Sequence, residues 1–146
     1  MINLETHFEI EKFQVNHDNL NAICGLVLRE YSSFKNAIIS IVFSNNNHLN
    51  ELKIHHFGED VLTDVITFVY EKEIKKIELE IYISVEMARE NAKENNVSLD
   101  NEIKRLVVHG ILHAIDYDDQ DLENQRVMYQ LQEKIIEKFN EKIIDE

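Results

Sequence analysis

Two histidines and a run of aspartates make up the one stretch of this chain whose residue types and spacing could do chemistry. It runs from Val107 to Asp119 and reads V-V-H-G-I-L-H-A-I-D-Y-D-D. His109 and His113 are four residues apart in an apolar run. On a helix they leave one face about a turn apart, the spacing with which two imidazoles grip one metal ion. A third ligand has to come from beyond that turn. Asp116, Tyr117 and Asp118 form a polar cluster able to end the helix, after which Asp119 can fold its carboxylate back onto the same ion. Asp118 competes for that third place. His109, His113 and Asp119 with positions left for water is the three-ligand pattern of a catalytic zinc rather than a closed structural one.

The same spacing also fits two hydrogen-bonded core histidines, and Gly110 weighs against that plain alternative. A glycine inside an otherwise good helix costs about 1 kcal/mol relative to alanine, so its presence directly after His109 predicts a close approach to the helix backbone. In zinc peptidases of the H-E-x-x-H type this position holds the glutamate general base. Gly110 therefore argues against peptide hydrolysis.

The stretch resembles the signature H-G-x-L-H-L-x-G-Y-D-H of the YbeY family of bacterial metal-dependent endoribonucleases and rRNA maturation factors, matching it at His109, Gly110, Leu112, His113, Tyr117 and Asp118. Two positions depart: Asp116 stands for a glycine and Asp119 for the third histidine, a metal-competent exchange. Leu62-Thr63-Asp64-Val65-Ile66-Thr67-Phe68 is similar to the family's T-D-V-L-S-F segment, and Ile81, Ile83, Ser84, Ala88, Asn91 and Ala92 resemble the strand and helix before the histidine helix. The resemblance implies a single-strand-specific endoribonuclease that uses zinc or another divalent metal. It further implies action in rRNA maturation, at the 16S rRNA 3′ end, and in ribosome quality control, with rRNA or the small ribosomal subunit and its proteins as partners and no DNA expected. Within it, Asp119 is the third ligand, Asp118 the turn residue before it, and Thr63 and Asp64 are placed to orient a ligand histidine. The family's arginine before T-D-V has no counterpart here, where His55-His56-Phe57-Gly58 stands instead. A ribosome-assembly protein that keeps a structural metal without cleavage is the competing reading, and a metallopeptidase the less favoured third.

Composition bounds these readings. With 146 residues, 44% apolar and 29% charged, the chain fits one globular domain, 1–146. One cysteine, Cys24, forms no internal pair and reads as a small buried apolar residue. No apolar run approaches the roughly 20 residues of a membrane span. The start, Met1-Ile2-Asn3-Leu4-Glu5, lacks the basic and apolar regions of a signal peptide, so the expected location is cytoplasmic. A net charge of −13 excludes a generic basic nucleic-acid binder, whose affinity comes mainly from neutralising phosphate. Any RNA contact has to be local, with Lys104-Arg105 and His55-His56 expected to flank the site.

The elements that must position these residues follow from periodicity. Ile2 to Ile10 roughly alternates and predicts a strand, and Ala37 to Phe43, Val65 to Tyr70 and Ile77 to Ser84 predict three more. Helical spacing predicts helices at about Asn16 to Ser32 (capped by Asn16 or Asp18), His48 to His56, Val85 to Asn95, Asp100 to Ile115 and Asp121 to Asn140. Four strands with about five helices predict an α+β domain with a small mixed sheet. Its centre is the helix from Asp100, apolar nearly all round, which gives the histidines a rigid frame while the third ligand rides on a looser turn.

Overall fold

The computed structural model describes residues 1–145. Four strands form one sheet in the order β1-β2-β4-β3, from β1 (Ile2–Phe8), β2 (Asn36–Ser44), β3 (Val65–Lys72) and β4 (Lys76–Ser84). β1 runs parallel to β2 and β2 to β4, while β3 and β4 form an antiparallel hairpin with a bulge between Val69 and Glu71. Five helices complete the fold: α1 (His17–Tyr31), α2 (Asn46–Phe57), α3 (Val85–Glu94), α4 (Leu99–Ala114) and α5 (Leu122–Lys138).

The predicted elements are all present, with ends moved by at most two residues. Every helix starts at a residue whose side chain accepts from the third helical N–H: Asn16, Asn45, Ser84, Ser98 and Asp121. Asn16, not Asp18, thus caps α1, and Asn45 draws the start of α2 back two residues from the expected His48. Ser98 likewise starts α4 one residue early, which frees Asp100 for another task. Its carboxylate is buried, pairs with Lys104 Nζ at 3.0 Å and accepts from the backbone N–H groups of Ile143 and Ile144 at 2.7 and 2.9 Å. The first strand stops at Phe8 rather than Ile10, because the Glu9 side chain turns to His48 Nδ1, 2.6 Å away.

Alternation along the strands sorts their side chains onto two faces. Ile77, Leu79, Ile81 and Ile83 of β4 are buried towards α1 and α4, joined by Ile39, Ile41 and Phe43 of β2. On the other face Tyr82 meets His48 of α2 and Phe68 of β3. α4 is the central helix: Ile103, Val107, Val108, Ile111 and Leu112 are fully buried, and it touches α1, α3, α5, β3 and β4.

The close approach predicted at Gly110 is real. A Cβ there would lie 3.0 Å from Thr67 Oγ1 and 3.1 and 3.2 Å from Ile81 side-chain carbons, and Thr67 Oγ1 donates to the Gly110 carbonyl at 3.3 Å. Glycine lets the histidine helix lie directly on the β3–β4 hairpin.

Candidate metal centre

His109 and His113 occupy the last two turns of α4, where the buried helix meets solvent, and their rings are 5.0 Å apart. After Ala114 the chain leaves the helix through Asp116, whose φ of 78° is the left-handed geometry a family glycine would supply without strain. Lys72 Nζ holds that turn, donating to Asp116 Oδ2 at 2.7 Å and to the Ala114 carbonyl at 3.0 Å. The chain then returns so that Asp119 Oδ1 is 3.2 Å from His113 Nε2 and Oδ2 is 3.6 Å from His109 Nε2. Asp118 stays exposed and turns its carboxylate to the Gln120 N–H at 3.4 Å. The structure therefore brings Asp119, and not Asp118, to the two histidines.

One ligand atom from each of His109, His113 and Asp119 lies within 4.8 Å of the others. Nitrogen and oxygen ligands bound at about 2.1 Å in a tetrahedral shell stand roughly 3.4 Å apart, which the 3.2 and 3.6 Å separations match. The donor set suits a divalent ion: two imidazoles and one carboxylate, partly exposed, with room for further ligands on the open side. Burial and the neighbouring His113 push the His109 pKa below its ordinary 6.5, against the opposing pull of Asp119 and Asp64, so its ring is held in the neutral, lone-pair-bearing form.

The centre sits in a cleft of about 450 Å³ that is also lined by Lys53, Phe57, Thr63, Asp64, Val65, Ile66, Thr67 and Val69. Thr63 and Asp64 thus share the cleft with the histidines, but not in the orienting role expected of them. Asp64 accepts from Asn91 Nδ2 at 3.1 Å and Thr63 Oγ1 donates to the Val65 carbonyl at 3.4 Å.

On the far side of the His109 ring from Asp119 stands Gln132, on α5, buried, with its amide nitrogen 2.6 Å from His109 Nδ1. An imidazole with its lone pair at Nε2 carries its proton on Nδ1, so the metal-binding tautomer donates to the Gln132 amide oxygen, in the amide's other orientation. One signal for Gln132 was available in the chain: a lone amide on the helix face otherwise formed by Met128, Ile135 and Ile136. The expectation for Lys104 and Arg105 fails. Lys104 is buried against Asp100, while Arg105 is clamped by Glu133 at 2.8 and 2.9 Å and by Glu102 at 3.0 Å.

The family model described as Endoribonuclease YbeY matches residues 3–140. The chain belongs to the YbeY endoribonuclease family. It is 32% identical to the Endoribonuclease YbeY of Flavobacterium johnsoniae, over 94% of this chain and 95% of that protein, and 32% identical to that of Flavobacterium psychrophilum, over 96% of each. A solution structure from Thermotoga maritima shares the fold at a TM-score of 0.59 and 23% identity, covering 95% of this chain and 89% of the other. The family match spans every element that builds the cleft, from β1 through α5.

Proposed function

We propose that this chain is a metal-dependent endoribonuclease that cleaves single-stranded RNA in rRNA maturation, with the 16S rRNA 3′ end as its substrate region and the small ribosomal subunit as its working context in the cytoplasm. The observation that carries the reading is the convergence of His109, His113 and Asp119 at ligand spacing within a cleft of a YbeY-family chain. No helix among the described residues is long and apolar enough to cross a membrane, which agrees with that setting.

His109, His113 and Asp119 would hold the ion, with zinc the first candidate and another divalent metal able to replace it. When bound, such an ion polarises a phosphoryl oxygen and acidifies water at neutral pH. The protein's own part is positional. The buried frame of α4 fixes the two imidazoles, Gln132 fixes the ring of His109, and the Lys72–Asp116 contact fixes the turn that delivers Asp119. Asp64 adds negative charge beside the site without taking a place in it.

The test compares cleavage of a single-stranded oligoribonucleotide and its duplex, with and without chelator, by the wild type and by His113→Ala. Cleavage confined to the single strand and abolished by either chelator or substitution is expected. Cleavage that survives both overturns the assignment. RNA binding with no cleavage under any divalent metal would instead favour the assembly-protein reading, which the neutralised Lys104 and Arg105 make the relevant alternative.

A further inference from the structure

An RNA substrate has to be held next to a cleft that offers it little positive charge. Lys72 is committed to Asp116, Arg105 to Glu102 and Glu133, and Lys104 to Asp100, while the chain carries −13 overall. Lys53, which lines the cleft, has Glu59 3.9 Å away. Phosphate neutralisation, the usual source of affinity for nucleic acid, is scarce here.

Aromatic surface begins at the rim of the cleft and continues round the edge strand β3 onto the sheet face away from α4. Phe57, at the end of α2, lines the cleft, and its ring lies near-parallel to Phe68 of β3, at 6.1 Å and 17°. Phe68 is in turn near-parallel to Tyr70, at 6.4 Å and 27°, and His56 contacts Phe68 at 5.1 Å. The row's two ends are open to solvent, Phe57 being 48% and Tyr70 61% exposed. Its geometry is fixed from below: Tyr82 packs on Phe68 at 5.9 Å, and the Tyr70 hydroxyl donates to Glu80 at 2.7 Å. Lys53 Nζ lies 4.8 Å from the Phe57 ring centre, which leaves one cation at the junction of row and cleft.

We propose that the row Phe57–Phe68–Tyr70 is a stacking subsite for unpaired bases of the RNA, leading the strand round the β3 edge and, at Phe57, into the cleft that holds His109, His113 and Asp119. The subsite rests on the endoribonuclease reading and names how that substrate is held. Every base has a π face, so stacking tolerates any sequence, and it is less sensitive to salt than phosphate contacts. Bases inside a duplex are already stacked and cannot offer their faces, so such a row selects single strands.

Binding is measured on the full chain in chelator, which separates it from cleavage, using a short oligoribonucleotide with 2-aminopurine at one position. Quenching of the probe on binding is expected. Phe57→Ala and Tyr70→Ala should each weaken binding by between about 5-fold and 160-fold, the range for removing a ring under a stacked base. Phe57→Trp should restore it, and an oligonucleotide with abasic sites in place of the bases should bind as weakly as the alanine variants. Wild-type affinity in both alanine variants, equal binding of the abasic strand, or equal binding of a duplex overturns the subsite. So does a change in oligomeric state on Phe57→Ala with RNA binding intact, which would make the row a contact between copies. Stacking-dependent binding without cleavage on added divalent metal leaves the subsite standing and removes the endoribonuclease reading alone; metal-dependent cleavage with unchanged KM in both alanine variants does the reverse.

Discussion

Gln132 is the residue whose replacement tests most directly whether His109 is a metal ligand. Its amide is buried and lies 2.6 Å from Nδ1, the nitrogen on the far side of the ring from Asp119. Gln132→Leu keeps the approximate volume but leaves a buried N–H without an acceptor whenever Nε2 holds its lone pair towards an ion. An unpaired buried polar group costs about 1–3 kcal/mol. Loss of the partner that fixes a ligand imidazole typically lowers metal affinity ten- to a hundredfold, about 1.4–2.7 kcal/mol. Both routes give the same size of effect. It should appear in metal affinity, read by competition with a chromogenic chelator, more than in the stability of the metal-free protein. Gln132→Glu should retain or raise affinity, because a carboxylate accepts the same Nδ1–H in a stronger, charge-assisted bond. Affinity within twofold of wild type for Gln132→Leu, or an equal loss in Gln132→Glu, would refute the reasoning and leave the contact as packing.

Three further outcomes follow from other contacts. In the metal-free protein the His109 titration, followed by NMR, should have its midpoint below 6.5, moving up in His113→Ala and further down in Asp119→Asn. The unfolded chain then takes up this proton first, so the histidine withdraws stability as pH falls through 6.5 and contributes no such loss above it. Asp100→Ala should cost about 3–5 kcal/mol in denaturant unfolding, since it strands buried Lys104 and frees the Ile143 and Ile144 N–H groups; a loss under about 1 kcal/mol would show that Lys104 escapes to solvent. Gly110→Ala gains about 1 kcal/mol of helix propensity but overpacks the fully buried Ile81, a penalty of about 1–3 kcal/mol. The net loss of stability should shrink when Ile81→Val is added.

The sequence by itself determined the elements and the two histidines, and left the third place between Asp118 and Asp119 for the fold to decide. Period-two and helical spacing placed all four strands and five helices, and the four-residue step from His109 to His113 required one helix face. Gly110 announced a close approach, and Asp116 a turn. These are local properties, set by backbone geometry over a few residues. What occupies the space around them depends on residues distant in the chain. Only the fold showed that the partner at Gly110 is the β3–β4 hairpin and that the ring of His109 leans on Gln132, 23 residues on. Asp100 and Glu102 stand four and three residues before Lys104 and Arg105, so part of their pairing was local and legible; the burial of the Lys104–Asp100 pair under the Ile143 and Ile144 N–H groups, and the clamp of Glu133 from α5 on Arg105, were decided by packing alone. The aromatic row was equally hidden, since Phe57 and Phe68 come from separate elements and meet only when α2 and β3 pack side by side.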